Sequence, residues 1–191
     1  MGTPIRQKAI IIFIKKGEIV LDRGYIHVYT GNGKGKTTAA LGLSLRSICA
    51  GKKVYFGQFA KGMDYSELKA PELLPNLTIE QFGRDAFIHG NPTKEDIEKA
   101  QIGLKKIKTI LQSNKYDLVV LDELNIAIYY NLVDINEVVE LLDYRNKNIE
   151  VVITGRYADD RIIERADLVT EMKEIKHYYT KGVKARLGIE N

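Results

Sequence analysis

Residues Thr30-Gly31-Asn32-Gly33-Lys34-Gly35-Lys36-Thr37-Thr38 join an apolar stretch, Tyr25 to Tyr29, to the helix-forming run Ala39-Ala40-Leu41-Gly42-Leu43. A glycine-rich turn placed between a strand and a helix constrains the chain more than any other feature. Glycines let successive backbone N–H groups wrap around phosphate oxygens, and the helix that follows presents the positive end of its dipole. Lys36 then supplies a mobile charge for the phosphates and Thr37 a hydroxyl for Mg²⁺. The usual loop carries glycine five positions before Gly35; here that position is Thr30, with Gly31 and Gly33 moved inward.

The rest of the sequence alternates strands and helices. The expected order is the strand into the loop, a helix Lys36 to Ala50, a strand Lys53 to Phe59, an irregular stretch around Gly62, Pro71 and Pro75, and a strand Leu77 to Phe82. Thr93 to Gln112 carries Ile97, Ala100, Leu104, Ile107 and Leu111 at spacings of three or four, which predicts one buried helical face. Thr93 with Asp96 three residues on forms a capping box at its start. Leu118-Val119-Val120-Leu121 reads as a central parallel strand covered on both faces. A helix Ile135 to Asp143 capped by Asp134, a strand Ile149 to Thr154, a helix Ala158 to Arg165 and a strand Leu168 to Met172 complete the pattern. Lys8 to Ile14 and Glu18 to Leu21, around Lys15-Lys16-Gly17, suggest an amino-terminal hairpin or extension over residues 1–23, ahead of a P-loop domain over 24–191.

Alternation of this kind calls for an α/β fold, P-loop NTPase-like (RecA-like), with a mostly parallel sheet and helices on both faces; ligands then sit beyond the carboxyl ends of the strands. A chain of 191 residues, 45% hydrophobic and 28% charged, with no Pro-, Gly- or Ser-rich linker, is expected to form one core. Asp122-Glu123 falls at the carboxyl edge of its strand, where a carboxylate meets Mg²⁺ or its waters beside Thr37. Side chains alternate along a strand, which favours Glu123 as the nearer ligand. Mg²⁺ asks for few protein carboxylates together with waters and phosphates.

The remaining composition narrows the setting. No apolar run reaches the length of a membrane span and no secretory signal opens the sequence, so a cytoplasmic location is expected, with no membrane. The formal charge of +4 is modest, and its lysines lie beside acidic residues, so nucleic acid is not implied. Cys49 cannot pair internally and is expected as a small buried residue. Eleven Tyr against five Phe and no Trp place Tyr129-Tyr130 in packing or at an interface. The residues alone specify a Mg-nucleotide site and leave kinase, ATPase, another nucleotide-dependent transferase, or a nucleotide-gated binding module open.

The sequence also resembles the P-loop class of ATP:cob(I)alamin, or corrinoid, adenosyltransferases. The resemblance rests on Thr30 through Ala40, Gln58-Phe59-Ala60-Lys61-Gly62, Val120-Leu121-Asp122-Glu123-Leu124, Val152-Ile153-Thr154-Gly155-Arg156, Ala166 through Glu171, and Lys176 through Ile189. It covers about residues 24–190, and the variant loop with Thr30 is itself characteristic. It implies transfer of the 5′-deoxyadenosyl group of ATP to the Co(I) of a reduced corrinoid, cobalamin or a biosynthetic precursor, with triphosphate as leaving group. Co(I) is a strong nucleophile, so alignment with C5′ matters more than acid or base chemistry. Carried over by position, Thr30, Gly31, Asn32, Gly33, Lys34, Gly35, Lys36, Thr37 and Thr38 hold the triphosphate, Thr37 and Glu123 hold Mg²⁺, and Arg46 and Arg156 reach ribose or phosphate.

The same resemblance implies a homodimer, a flavoprotein reductant and an adenosylcobalamin-dependent enzyme as partners. Members of the family place a Phe and a Trp beneath the corrin, where they displace its lower axial ligand and ease reduction of Co(II). Phe87 takes the Phe position. The Trp position falls at His89 or Ile88, a departure that leaves His89 as a corrin-facing ring, a cobalt ligand or a loop histidine in solvent. His177 is expected to be structural or to touch the corrin.

Overall fold

The computed structural model describes residues 23–86 and 90–191. The expected amino-terminal hairpin, Phe87 and His89 all lie outside these described residues.

Six strands form one sheet: β1 (Ile26–Thr30), β2 (Val54–Phe59), β3 (Leu77–Phe82), β4 (Leu118–Asp122), β5 (Glu150–Thr154) and β6 (Leu168–Glu171), in the order β3-β2-β4-β5-β1-β6. Every pairing is parallel, with registers such as Phe56 opposite Val120 and Val28 opposite Ile153. The connecting helices are α1 (Lys36–Cys49), α2 (Ala70–Leu73), α3 (Lys94–Leu111), α4 (Leu124–Tyr129), α5 (Ile135–Asp143) and α6 (Asp160–Arg165).

Strand alternation sorts the core into two layers. Tyr55, Val119, Leu121, Val151 and Ile153 face Leu104, Ile107 and Leu111 of α3, Leu124 of α4 and Leu142 of α5. Val54, Phe56, Leu118, Val120 and Val152 point the other way, onto Ala40 and the half-buried Leu41, Leu43 and Ile48 of α1. Both faces of the central strands are therefore covered, which is why β2 and β4 are buried along their whole length and are mostly apolar.

The start of α3 is built as its sequence signals. The Thr93 hydroxyl accepts from the Asp96 N–H, and Asp96 accepts from the Thr93 N–H at 2.8 Å. Asp96 is 3% exposed and also takes both prongs of Arg84, at 2.6 and 3.0 Å.

Two expectations are corrected. Ile97 is exposed, because the cap turns Asp96 inward and the buried stripe runs from Asp96 through Ala100, Gly103, Leu104 and Ile107. Cys49 is exposed at the end of α1, since the buried face of that helix follows Lys36, Ala40 and Ser44 and passes Cys49 by.

Candidate active site

All parallel strands deliver their carboxyl ends to one edge, and the order of the sheet sets which loops meet there. β5 lies between β4 and β1, so the loop leaving β1, the acids ending β4 and the turn leaving β5 converge. They surround a cavity of about 820 Å³ lined by Gly33 through Thr38, Lys61, Tyr65, Glu67, Glu123, Tyr130, Arg156, His177 and residues 188–191.

The loop departs from regular structure for stated reasons. Thr30 ends β1 within the ladder opposite Glu171, and its carbonyl accepts from the Met172 N–H. Gly31 turns through a φ of 94°, and a Cβ there would stand 2.5 Å from the Met172 carbonyl oxygen. The Gly33 N–H donates to that same oxygen at 2.6 Å. The loop is thus pressed onto the chain leaving β6, and the glycines moved inward allow the approach. Gly35, at φ 119°, precedes α1, whose first turn carries no acidic residue and receives no side-chain cap among the described residues. Lys36, Thr37 and Thr38 of its first turn line the cavity, where the positive end of the helix dipole suits an anion.

Lys36 is 7% exposed, and its ammonium donates to the carbonyls of Gly31 and Gly33, both at 2.8 Å. Burial lowers its affinity for the proton, while Glu123 and Asp122 work against that shift. Thr37 donates its hydroxyl to Asp122 Oδ1 at 2.9 Å, and Thr154, at the end of β5, donates to the same oxygen at 2.7 Å. Asp122 is fully buried. Its other oxygen accepts from Lys61 Nζ at 2.7 Å, which also lies 3.3 Å from Thr37 Oγ1.

Glu123 is not the continuation of a strand. β4 ends at Asp122, and Glu123 turns left-handed with φ 56° to start α4. The alternation expected of the two acids therefore does not operate: Asp122 reaches Thr37, while Glu123 lines the cavity. The Glu123 N–H is held by Thr154 Oγ1 at 3.0 Å. Burial, then the neighbouring Asp122, pushes its carboxyl above the usual range, against the pull of Lys61, Lys36 and Arg156. A non-glycine residue held left-handed costs on the order of 1–3 kcal/mol and persists where surrounding structure over-determines it.

The oxygens of Thr37, Asp122 and Glu123 are a hard donor set of the kind Mg²⁺ takes. The Lys61 ammonium, seated between Thr37 and Asp122, shows that a cation fits there. Among the described residues no group of three or more His, Cys, Asp or Glu forms a metal cage by itself, so waters or a phosphate chain would complete the shell of an ion here.

Of the other sequence candidates, Gly33, Lys34, Thr38 and Arg156 line the cavity. Thr30, Gly31, Asn32 and Arg46 do not, although Gly31 acts on the site through its carbonyl. Arg46 is exposed on α1. His177 accepts from the Tyr179 N–H at 3.1 Å and so caps the turn Tyr178–Lys181 at the cavity wall.

Sequence reasoning assigned no role to Lys61, Thr154 or the carboxyl-terminal segment. Lys34 Nζ donates to Tyr178 Oη at 3.0 Å, the Ile189 carbonyl at 3.0 Å and Glu190 at 2.6 Å. Arg186 and then Lys34 hold the Glu190 carboxyl far below its ordinary range. Spacing could not have shown the Lys34 contacts, because they join residues 144 to 156 positions apart.

Comparison with solved structures agrees with the fold: the RadB recombinase superposes with a TM-score of 0.50 at 15% identity, over 81% of this chain and 77% of that one. Curated relatives are much closer in sequence. The corrinoid adenosyltransferase of Escherichia coli K12 is 38% identical over 170 residues, 88% of this chain and 86% of the relative. That of Pseudomonas aeruginosa is 36% identical over 174 residues, covering 88% and 84%, and corrinoid adenosyltransferase CobA of Salmonella typhimurium is 36% identical over 170, covering 88% and 86%. The family model described as ATP:corrinoid adenosyltransferase BtuR/CobO/CobP matches residues 22–191. With a glycine-rich loop and carboxylates gathered at one sheet edge in a chain whose residues 22–191 this model matches, the protein belongs to the ATP:corrinoid adenosyltransferase family.

Proposed function

We propose that the cavity binds Mg-ATP by its triphosphate and presents the ribose C5′ to the Co(I) of a reduced corrinoid. The Co(I) electron pair forms the cobalt–carbon bond, the C5′–O5′ bond breaks, and its electrons leave on the triphosphate oxygen. Charge therefore develops on the polyphosphate, and the chain's work is to hold that charge and fix the alignment.

The N–H groups from Gly33 to Thr38 and the Lys36 ammonium grip the leaving group. In doing so Lys36 exchanges the neutral carbonyls of Gly31 and Gly33 for anionic oxygens, a stronger class of hydrogen bond. Arg156, beyond the end of β5, neutralises charge from the opposite wall. Thr37 and Glu123 hold Mg²⁺, with Asp122 orienting the Thr37 hydroxyl. The bound ion supplies further stabilisation of the departing triphosphate. On the family resemblance, Phe87 and His89 form the corrin face. An attack by cobalt needs no base to activate an alcohol or water.

The uncapped α1 N-terminus, with Lys36 and Thr37 in its first turn, carries this reading. Incubation with Mg-ATP and chemically reduced cobalamin tests it. The expected products are the cobalt–carbon chromophore and free triphosphate in equal amounts; ADP and phosphate without adenosylated corrinoid would replace the reading with a kinase or ATPase. The chain functions as a homodimer in the cytoplasm on this reading, and a flavoprotein supplies electrons to Co(II).

A further inference from the structure

The cation seated between Thr37 and Asp122 belongs to the chain itself, and its placement is built rather than incidental. Lys61 follows β2 directly, after Ala60 at a φ of 52°, a left-handed turn taken by a residue that has a Cβ. A Cβ on Gly83 would lie 2.4 Å from the Lys61 nitrogen, so the backbone there is pinned against the turn leaving β3. The four methylenes beyond it keep their rotors. The side chain is 15% exposed and ends against a carboxylate with no exposure at all. Its ammonium also stands 5.3 Å from the centre of the Tyr65 ring, within cation–π range. Burial opposes its charge, but Asp122, then Glu123 and Glu67, outweigh burial and raise the ammonium above its ordinary value.

Asp122 has one oxygen committed to the hydroxyls of Thr37 and Thr154, so its second oxygen is the one that faces a cation, and Lys61 takes it. An ion bound to Thr37 Oγ1 at the short distance Mg²⁺ requires, about 2.1 Å, would share that oxygen with an ammonium 3.3 Å from it. Two cations that close repel each other. Mg²⁺ arriving alone must drive Lys61 off the buried Asp122 carboxylate toward Glu67 and Glu123, the acids that line the cavity, one of which the ion itself claims. Arriving with a polyphosphate, it brings the anion that receives the displaced ammonium.

We propose that Lys61 is a positioning residue that holds the metal position as an internal counter-cation and yields it only to metal and nucleotide together. The proposal rests on the Mg-ATP reading of the cavity. Metal and nucleotide affinities are then coupled through one side chain, and each raises the other by the same factor. Lysine suits the task because its compact charge rides on a flexible stem, whereas a planar arginine fork would not clear the site as readily.

Mn²⁺ binding followed by electron paramagnetic resonance, with and without ATP and with no corrinoid present, reads the coupling directly. In the wild-type protein ATP should tighten Mn²⁺ by about tenfold or more, the scale of a charge-assisted hydrogen bond exchanged for a better one. In Lys61→Gln, nucleotide-free Mn²⁺ affinity should rise by about tenfold, and the tightening by ATP should shrink correspondingly. Unchanged or weaker nucleotide-free binding in a folded Lys61→Gln protein would overturn the proposal.

Removing the ammonium leaves Asp122 buried without its partner, which can unfold the chain, so a measurement on the wild type stands beside it. The side-chain ammonium resonance of Lys61 in ¹⁵N-lysine-labelled protein should stay in place when Mg²⁺ is added alone and move when Mg-ATP is added. A resonance indifferent to Mg-ATP that is demonstrably bound refutes the exchange and leaves the nucleotide site standing. Failure of the wild type to bind Mn-ATP refutes the nucleotide reading and the proposal with it.

Discussion

Single residues decide whether the cavity can hold a polyanion. Lys36 is buried against two carbonyls that satisfy its hydrogen bonds but not its charge, so it is poised for anionic oxygens. Lys36→Ala should keep the far-ultraviolet circular dichroism and cut adenosyl transfer by about a hundredfold or more, as for loss of a group that stabilises developing charge; retained turnover would mean the loop does not grip the leaving group. Gly155 carries a second dependence. Its φ is 127°, and a Cβ would sit 2.9 Å from the Asn125 Cβ and 3.3 Å from Glu123 Oε2. Gly155→Ala should therefore destabilise the fold by about 1–3 kcal/mol in urea denaturation and also lower activity, because relief of the clash pushes Glu123 from its place.

At the scale of elements, α3 owes its start to one carboxylate. Asp96 closes the capping box and pairs with Arg84; that pairing, with the Thr93 N–H, draws its carboxyl down to about 2. In the unfolded chain the same group titrates near ~3.9. A depressed acid stabilises the fold above its unfolded value and loses that contribution as pH falls through its folded value. Asp96→Asn should thus cost on the order of 1 kcal/mol at pH ~6, and the gap from wild type should close between pH ~4 and ~2. Urea titrations across that range check it, and a constant gap would assign the stability to packing.

Most of these elements were legible beforehand. Val119 and Val120 point to opposite faces yet are both apolar, which announced a covered parallel strand, and Thr93 with Asp96 announced a helix start. Thr30 at the usual glycine position was legible as a variant loop, but only the fold shows that it belongs to the β1 ladder and that the turn is braced by Met172. The geometry at Glu123 was hidden because a left-handed residue at the end of a strand leaves no signal in periodicity. Lys61 was hidden for a different reason: its partner Asp122 is 61 positions away, and only the adjacency of β2 and β4 brings them together.

For the whole molecule, the sheet order is what turns separate motifs into one site. With β5 between β4 and β1, Thr154 links the acids to the glycine-rich loop, and the carboxyl-terminal segment crosses back to Lys34 to form a wall. No helix among the described residues is long and apolar enough to cross a membrane. The machinery gathered at this edge is suited to holding a triphosphate still while a bond to carbon breaks, and that is the central claim. ATP labelled with ¹⁸O at the bridging 5′ oxygen, turned over with reduced corrinoid, tests it by mass spectrometry of the products. The account predicts that all of the label leaves in the triphosphate. Label retained on the nucleoside, with ADP formed, would contradict it.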